Sequence, residues 1–166
     1  MTESLNIVID TQEQTPWSWP EYKANTSVRK LNAADYALLE DTEAVKGRKT
    51  LAVRFAIERK ELNDFLGTIA GGWERFQREL IRMESFPARI VIVEGTFEQC
   101  CFTGEGESFE PPDHNHDNLT PQFVARRIAE LSLMNVSVIF AGSPQLAAAL
   151  AYRIFVRRHD QLRGLA

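Results

Sequence analysis

The stretch Phe55-Ala56-Ile57-Glu58-Arg59-Lys60-Glu61-Leu62-Asn63-Asp64-Phe65 decides the fold, because the hydrophobic period changes inside it. From Leu51 to Lys60 the alternation is that of a strand, with Val53, Phe55 and Ile57 on one face and Glu58 with Lys60 on the other. Beyond Lys60, Leu62, Phe65, Leu66 and Ile69 recur at helical spacing until Gly71-Gly72 ends the run. A strand thus hands over directly to a helix, and a carboxylate and an ammonium share one open surface just before the junction. Neighbouring strands lie about 4.8 Å apart, so an acid on an adjoining strand would complete a site for a divalent metal with a lysine beside it.

The chain upstream supplies that acid. Val28 to Leu39 predicts a strand with a local irregularity at Ala33-Ala34, followed directly by Asp35. The polar segment from Glu40 to Lys49 is predicted to be a hairpin loop, which puts Asp35 on one arm and Glu58 with Lys60 on the other. Further upstream, Leu5 to Asp10 is a short apolar run, a buried strand that delivers Asp10 to the sheet end with Glu13 close behind. Thr15-Pro16-Trp17-Ser18-Trp19-Pro20 can continue neither a helix nor a central strand. It is expected to be a loop packed by its own tryptophans, a plug over a core edge rather than a platform for nucleobases.

Downstream, Trp73 to Glu84 predicts a second helix with Trp73, Phe76, Leu80 and Met83 on one stripe and Arg75, Arg78 and Arg82 opposite. Ala88 to Glu94 and Val136 to Ala141 are apolar enough to be buried strands, and Thr120-Pro121 caps and opens a helix between them. Strand, crossover helix and strand imply a parallel pair. A final helix starts at Ser143-Pro144 and runs to about Asp160; its centre, LAAALAYRIFV, is apolar on nearly every side. An antiparallel hairpin joined to a parallel pair makes the expected class α/β, a central mixed β-sheet flanked by helices.

Size and composition fit one domain over residues 1–166, 44% hydrophobic and 25% charged. The polar segment 97–119 is expected to be a long loop insert; its Asp113, His114, His116 and Asp117 match no tight tetrahedral spacing and are assigned no chemistry. No apolar run reaches the ~18 residues of a membrane span, and the first residues lack a signal-peptide layout, so a cytoplasmic protein is expected. Adjacent Cys100 and Cys101 cannot staple distant segments and are expected to be reduced. The net charge of −4 argues against loose charge-driven nucleic-acid binding by the whole molecule. Arg29, Lys30, Arg75 and Arg78 are the candidates for a local DNA track.

An acid on one strand and Glu-x-Lys on the next is a skeleton for metal-dependent phosphodiester cleavage, though Glu-x-Lys alone is a weak signal. The surrounding segments strengthen it. The chain resembles the nuclease domain of the XPF family of structure-specific DNA endonucleases, whose signature is Gly-Asp, a variable stretch, Glu-Arg-Lys, three residues and Asp. Here those positions are Ala34-Asp35, Glu58-Arg59-Lys60 and Asp64. IVIDTQEQTPW, KLNAADYALLED, GTIAGGWERFQREL, IVIVEG and NVSVIFAGSPQLAAALAYRI are similar to further segments of that family.

The resemblance implies a restriction-endonuclease-like nuclease fold. It also implies a Mg²⁺- or Mn²⁺-dependent endonuclease acting on branched, flapped or junction DNA in repair or recombination, in a stand-alone form like those of phages or bacteria. Asp35 and Glu58 would be the metal ligands, with the Arg59 carbonyl completing the shell, and Lys60 would be the water-positioning, base-like group. Asp10 and Glu13 would be outer acids at the rim and Asp64 a supporting carboxylate. The Arg59 side chain faces away from Glu58 and Lys60, and either pairs with an acid such as Asp64 or contacts DNA. A dimer through the C-terminal helices, residues 143–160, a homodimer or a pairing with a relative, is also implied, in keeping with the last helix's all-round apolar centre. Ala34 in place of glycine matters if the backbone there needs a positive φ, and Gln12 in place of arginine removes one charge at the rim. The competing reading is a non-catalytic scaffold of the same family that binds DNA or a partner; the intact acids and lysine argue against it.

Overall fold

The computed structural model describes residues 4–101 and 119–165. In chain order its elements are β1 (Leu5–Ile9), β2 (Ala24–Val28), β3 (Tyr36–Leu38), β4 (Thr42–Ala44), β5 (Leu51–Val53), β6 (Ile57–Glu61), α1 (Leu62–Ile69), α2 (Trp73–Arg82), β7 (Arg89–Glu94), α3 (Phe97–Cys101), α4 (Pro121–Leu133), β8 (Val136–Phe140) and α5 (Pro144–Leu162). Six strands form one sheet in the order β2-β1-β3-β6-β7-β8, and β4 and β5 make a separate antiparallel pair. The main sheet is mixed: β6, β7 and β8 run parallel, whereas β3 is antiparallel to both β1 and β6. This is the expected α/β class.

Two cores cover the sheet's faces. On one, Val8, Ala37, Val91, Val93 and Val136 meet Phe65, Leu66 and Ile69 of α1, Phe76 and Leu80 of α2, and Val124 and Leu131 of α4. On the other, Ile7, Ile9, Tyr36, Leu38, Ile57 and Ile92 meet Ala147, Ala151 and Phe155 of α5 and the two tryptophans of the early loop. Trp17 and Trp19 are 5% and 4% exposed, so that loop is the plug its composition predicts. Leu150, Ile154 and Val156 also pack half-buried on this second core, so much of the apolar ring around α5 is used within the chain. Thr120 and Ser143 cap α4 and α5 through their side chains, each followed by a first-turn proline. No helix among the described residues is long and apolar enough to cross a membrane.

The structure differs from the sequence expectations in four places. The strand expected over 51–60 is two strands, because the Arg54 N–H donates to Asp41 O at 2.8 Å and turns the chain between them. Val53 consequently packs toward the α1–α4 core, while Phe55 and Ile57 stay together on the α5 face. The strand expected over 28–39 is confined to β3, and the preceding polar β2 pairs parallel with β1 at the sheet edge. An edge strand needs backbone partners more than an apolar face, so Ala24–Val28 carries little periodic signal. The expected 40–49 loop contains β4, whose pairing with β5 makes the true hairpin around Gly47 at φ +76°. The 97–119 insert begins with the helix α3, in which both cysteines are free and buried. The Asp113–Asp117 cluster lies outside the described residues.

Candidate active site

Asp35 precedes β3 and is fixed by its neighbours on both sides. Its N–H donates to Ile57 O at 3.1 Å, and its C=O accepts the Asp10 N–H at 2.8 Å. Its carboxylate Oδ2 accepts the Arg59 N–H at 2.7 Å. The β3–β6 register closes at Tyr36 opposite Ile57, so beyond that pair the Asp35 side chain does the work of a strand carbonyl. Ala34 takes φ +56°, the left-handed conformation that favours glycine, to turn the chain into this position.

Glu58 and Lys60 point to the same side of β6 as Asp35, as the period of two requires. Glu58 is 7% exposed and accepts a charged hydrogen bond from Lys60 Nζ at 2.8 Å. The ammonium also lies 5.4 Å from the centre of the Phe76 ring and 3.9 Å from Glu79, both on α2. Asp35, Glu58, Lys60, Asp64, Glu13 and Glu79 share the walls of a cleft of about 660 Å³.

The electrostatics follow from burial. Asp35 has its pKa raised well above the ordinary carboxylate value, by burial and then by the charge of Glu58, against the opposing Arg59 N–H. Glu58 is also raised by burial, which the neighbouring Lys60 only partly offsets. Burial opposes the charge on Lys60, but Glu58 and Glu79 outweigh it and keep its pKa above the ordinary lysine value. Lys60 is therefore an ammonium here, a hydrogen-bond donor rather than a base.

This donor set fits a hard divalent cation. Among the described residues no three acidic, histidine or cysteine side chains form a ready-made metal cage. Mg²⁺ is commonly held by one or two carboxylates, with water and substrate phosphate completing its shell. Half-buried Asp35 and buried Glu58, both with raised pKa values, would offer two such carboxylates, and a cation would relieve their repulsion.

The remaining sequence-predicted residues take varied places. Asp10 is 2% exposed and organises its own loop: it accepts the Leu31 N–H at 2.7 Å and the Gln12 N–H at 2.9 Å, and pairs with Lys30 at 3.2 Å. Glu13 reaches the cleft wall, with its Oε2 accepting Tyr36 OH at 2.7 Å and Arg59 Nη1 at 2.8 Å. Asp64 is exposed and lines the cleft from the first turn of α1. The Arg59 side chain faces away from Glu58 and Lys60, and its acid partners are Glu94, Glu13 and Glu61 rather than Asp64. Of the proposed DNA track, Lys30 and Arg75 border the acids, whereas Arg29 and Arg78 are exposed outside the two clefts around Asp35 and Glu58.

Sequence reasoning missed Glu79 and named Arg82 on the basic helix face without assigning it to the site; both line the site beside Arg75. Their spacing of four and seven from Arg75 places all three on one helix face, a signal that was available. It also missed Glu94 and Trp17, which nothing local in the sequence connects to Arg59.

A mixed sheet flanked by helices thus brings two carboxylates and a lysine to one cleft, which makes the chain an α/β domain with an acidic site at the sheet end. Within that class the chain belongs to the ERCC4-domain family, whose model matches residues 9–154. Comparison with curated protein sequences gives no match. Among solved structures it is similar to XPF from Aeropyrum pernix, with a TM-score of 0.57 and 17% identity over 96% of this chain and 69% of that one. It is likewise similar to the same archaeal XPF in complex with DNA, with a TM-score of 0.53 and 16% identity over 93% of this chain and 66% of that one. The fold and family expected from the Glu-Arg-Lys stretch are thus those found.

Proposed function

We propose that this chain is a divalent-metal-dependent DNA endonuclease acting on branched, flapped or junction DNA. The observation that carries the reading is the convergence of Asp35, Glu58 and Lys60 in one cleft, with Lys60 Nζ 2.8 Å from Glu58. Asp35 and Glu58 would hold Mg²⁺ or Mn²⁺, which supplies positive charge against the phosphate and makes water easier to deprotonate. Asp35 is aimed by the Arg59 N–H, so its carboxylate enters the site already oriented. Lys60 would donate from its ammonium to hold a water or a phosphate oxygen, with the Phe76 ring and Glu79 beside it to hold its position. Lys30, Arg75 and Arg82, around the acid end, would contact the neighbouring phosphates. By the same family resemblance, two copies would associate through α5.

The test is cleavage of labelled flap, fork, duplex and single-stranded DNA with Mn²⁺. Wild type should cut a branched substrate in preference to plain duplex. Asp35→Asn and Lys60→Ala should each lower the rate about a hundredfold or more while circular dichroism stays native. Undiminished cutting by both variants would remove the proposal.

A further inference from the structure

Arg59, Glu94 and Glu13 are charged and deeply covered, with side chains 8%, 5% and 15% exposed, and the proposed chemistry uses none of them directly. They form a closed circuit. Arg59 Nε and Nη2 fork onto the two oxygens of Glu94 at 2.7 and 3.2 Å. Its Nη1 reaches Glu13 Oε2 and Thr15 O, both at 2.8 Å. Glu94 also accepts the indole N–H of Trp17 at 2.5 Å. Trp17 stacks on Tyr36 at 4.6 Å, and the Tyr36 hydroxyl donates to Glu13 at 2.7 Å.

A two-point fork between a guanidinium and a carboxylate fixes direction as well as distance. Glu94 is itself anchored at the end of β7, where it lies in register with Glu61 of β6. The other end of Arg59 is its N–H, bonded to Asp35 Oδ2 at 2.7 Å. One residue therefore has its side chain clamped by Glu94 and Glu13 and its amide bonded to the Asp35 carboxylate.

We propose that Glu94 is a positioning residue: by clamping the Arg59 side chain it fixes the amide that aims the Asp35 carboxylate into the cleft. The consequence for cleavage rests on the nuclease reading; the geometric coupling does not. Groups that orient a ligand from behind typically change activity by about 10–100-fold when altered. Glu94→Gln keeps the volume and one oxygen for the Trp17 indole, but it removes the charge that holds the fork and leaves a covered guanidinium short of a partner.

The test has an arm that needs no turnover. In ¹⁵N-labelled, metal-free protein, the Arg59 amide proton should resonate downfield because it donates to a carboxylate. In Glu94→Gln it should move upfield and exchange with solvent about tenfold faster, while amides at the centre of β7 keep their protection. On flap DNA with Mn²⁺, kcat should fall about tenfold or more with KM unchanged. Should Glu94→Gln fail to fold, Trp17→Phe, which frees one Glu94 oxygen, is read in the same way and should give a smaller shift in the same direction. An Arg59 amide that stays in place in the folded variant, or a kcat that does not change, overturns the proposal. A wild-type chain that cuts no DNA overturns the nuclease reading alone, because the amide measurement still decides the coupling.

Discussion

Ala34 holds a backbone conformation in which its Cβ is a liability. L-residues with a side chain are disfavoured there by roughly 1–2 kcal/mol. Ala34→Gly should therefore stabilise the protein by about 1 kcal/mol, after allowing for the extra freedom of glycine in the unfolded chain; urea denaturation is the measurement. The next residue gives a pH-dependent prediction. Asp35 and Glu58 bind a proton more tightly in the metal-free folded chain than in the unfolded one. As pH rises from the ordinary carboxylate value toward their raised folded values, the unfolded chain carries fewer protons than the folded one, and stability falls. Asp35→Asn keeps an oxygen for the Arg59 N–H and removes this penalty. It should be more stable than wild type in urea at pH 7 without metal, with the gain fading toward pH 4.

At this scale the site was largely legible. Glu58 and Lys60 follow from a period of two, and Asp35 from the adjoining strand. The Arg59 clamp was not, because it joins side chains separated by 35 and 46 positions, with the Trp17–Glu94 bond spanning 77. No local pattern records such a contact.

Among the elements, α5 fastens the rest of the fold through one buried charge. Asp41, 0% exposed and following β3, accepts Arg158 Nε and Nη2 at 2.7 and 2.8 Å. Removing one partner of a buried pair leaves the other uncompensated. Arg54 remains near Asp41 at 3.9 Å, so Arg158→Met should cost about 2 kcal/mol rather than the full amount. Phe155, fully buried on the same helix, should cost about 4 kcal/mol as Phe155→Ala. Elements with a strong period, α1, α2, β7, β8 and α5, appear where their patterns predict. Those set by tertiary bonds do not: Arg54 breaks the expected long strand by bonding to Asp41, and polar β2 exists only because β1 offers it an edge.

For the whole molecule, the proposed metal ligands Asp35 and Glu58 predict a response to metal. A ligand that binds only the folded state adds about 2.7 kcal/mol at a hundred times its Kd. Mn²⁺ should accordingly raise the thermal midpoint of wild type and leave that of Asp35→Asn unmoved, as read by scanning calorimetry. Association through α5 would leave Leu146, 61% exposed at its start, at or near a partner copy. Light scattering should then give twice the chain mass of 18.9 kDa.

The junction of β3 with β6 has a mechanical meaning. β6 is paired to β7 along five positions but to β3 at one, so the sheet is two three-stranded leaves joined at a thin hinge line. The Asp35 carboxylate is one of the few rivets across that line. Cohesion across it comes instead from the core beneath, where Ile7, Tyr36 and Leu38 of one leaf pack with Ile57 and Ile92 of the other against α5.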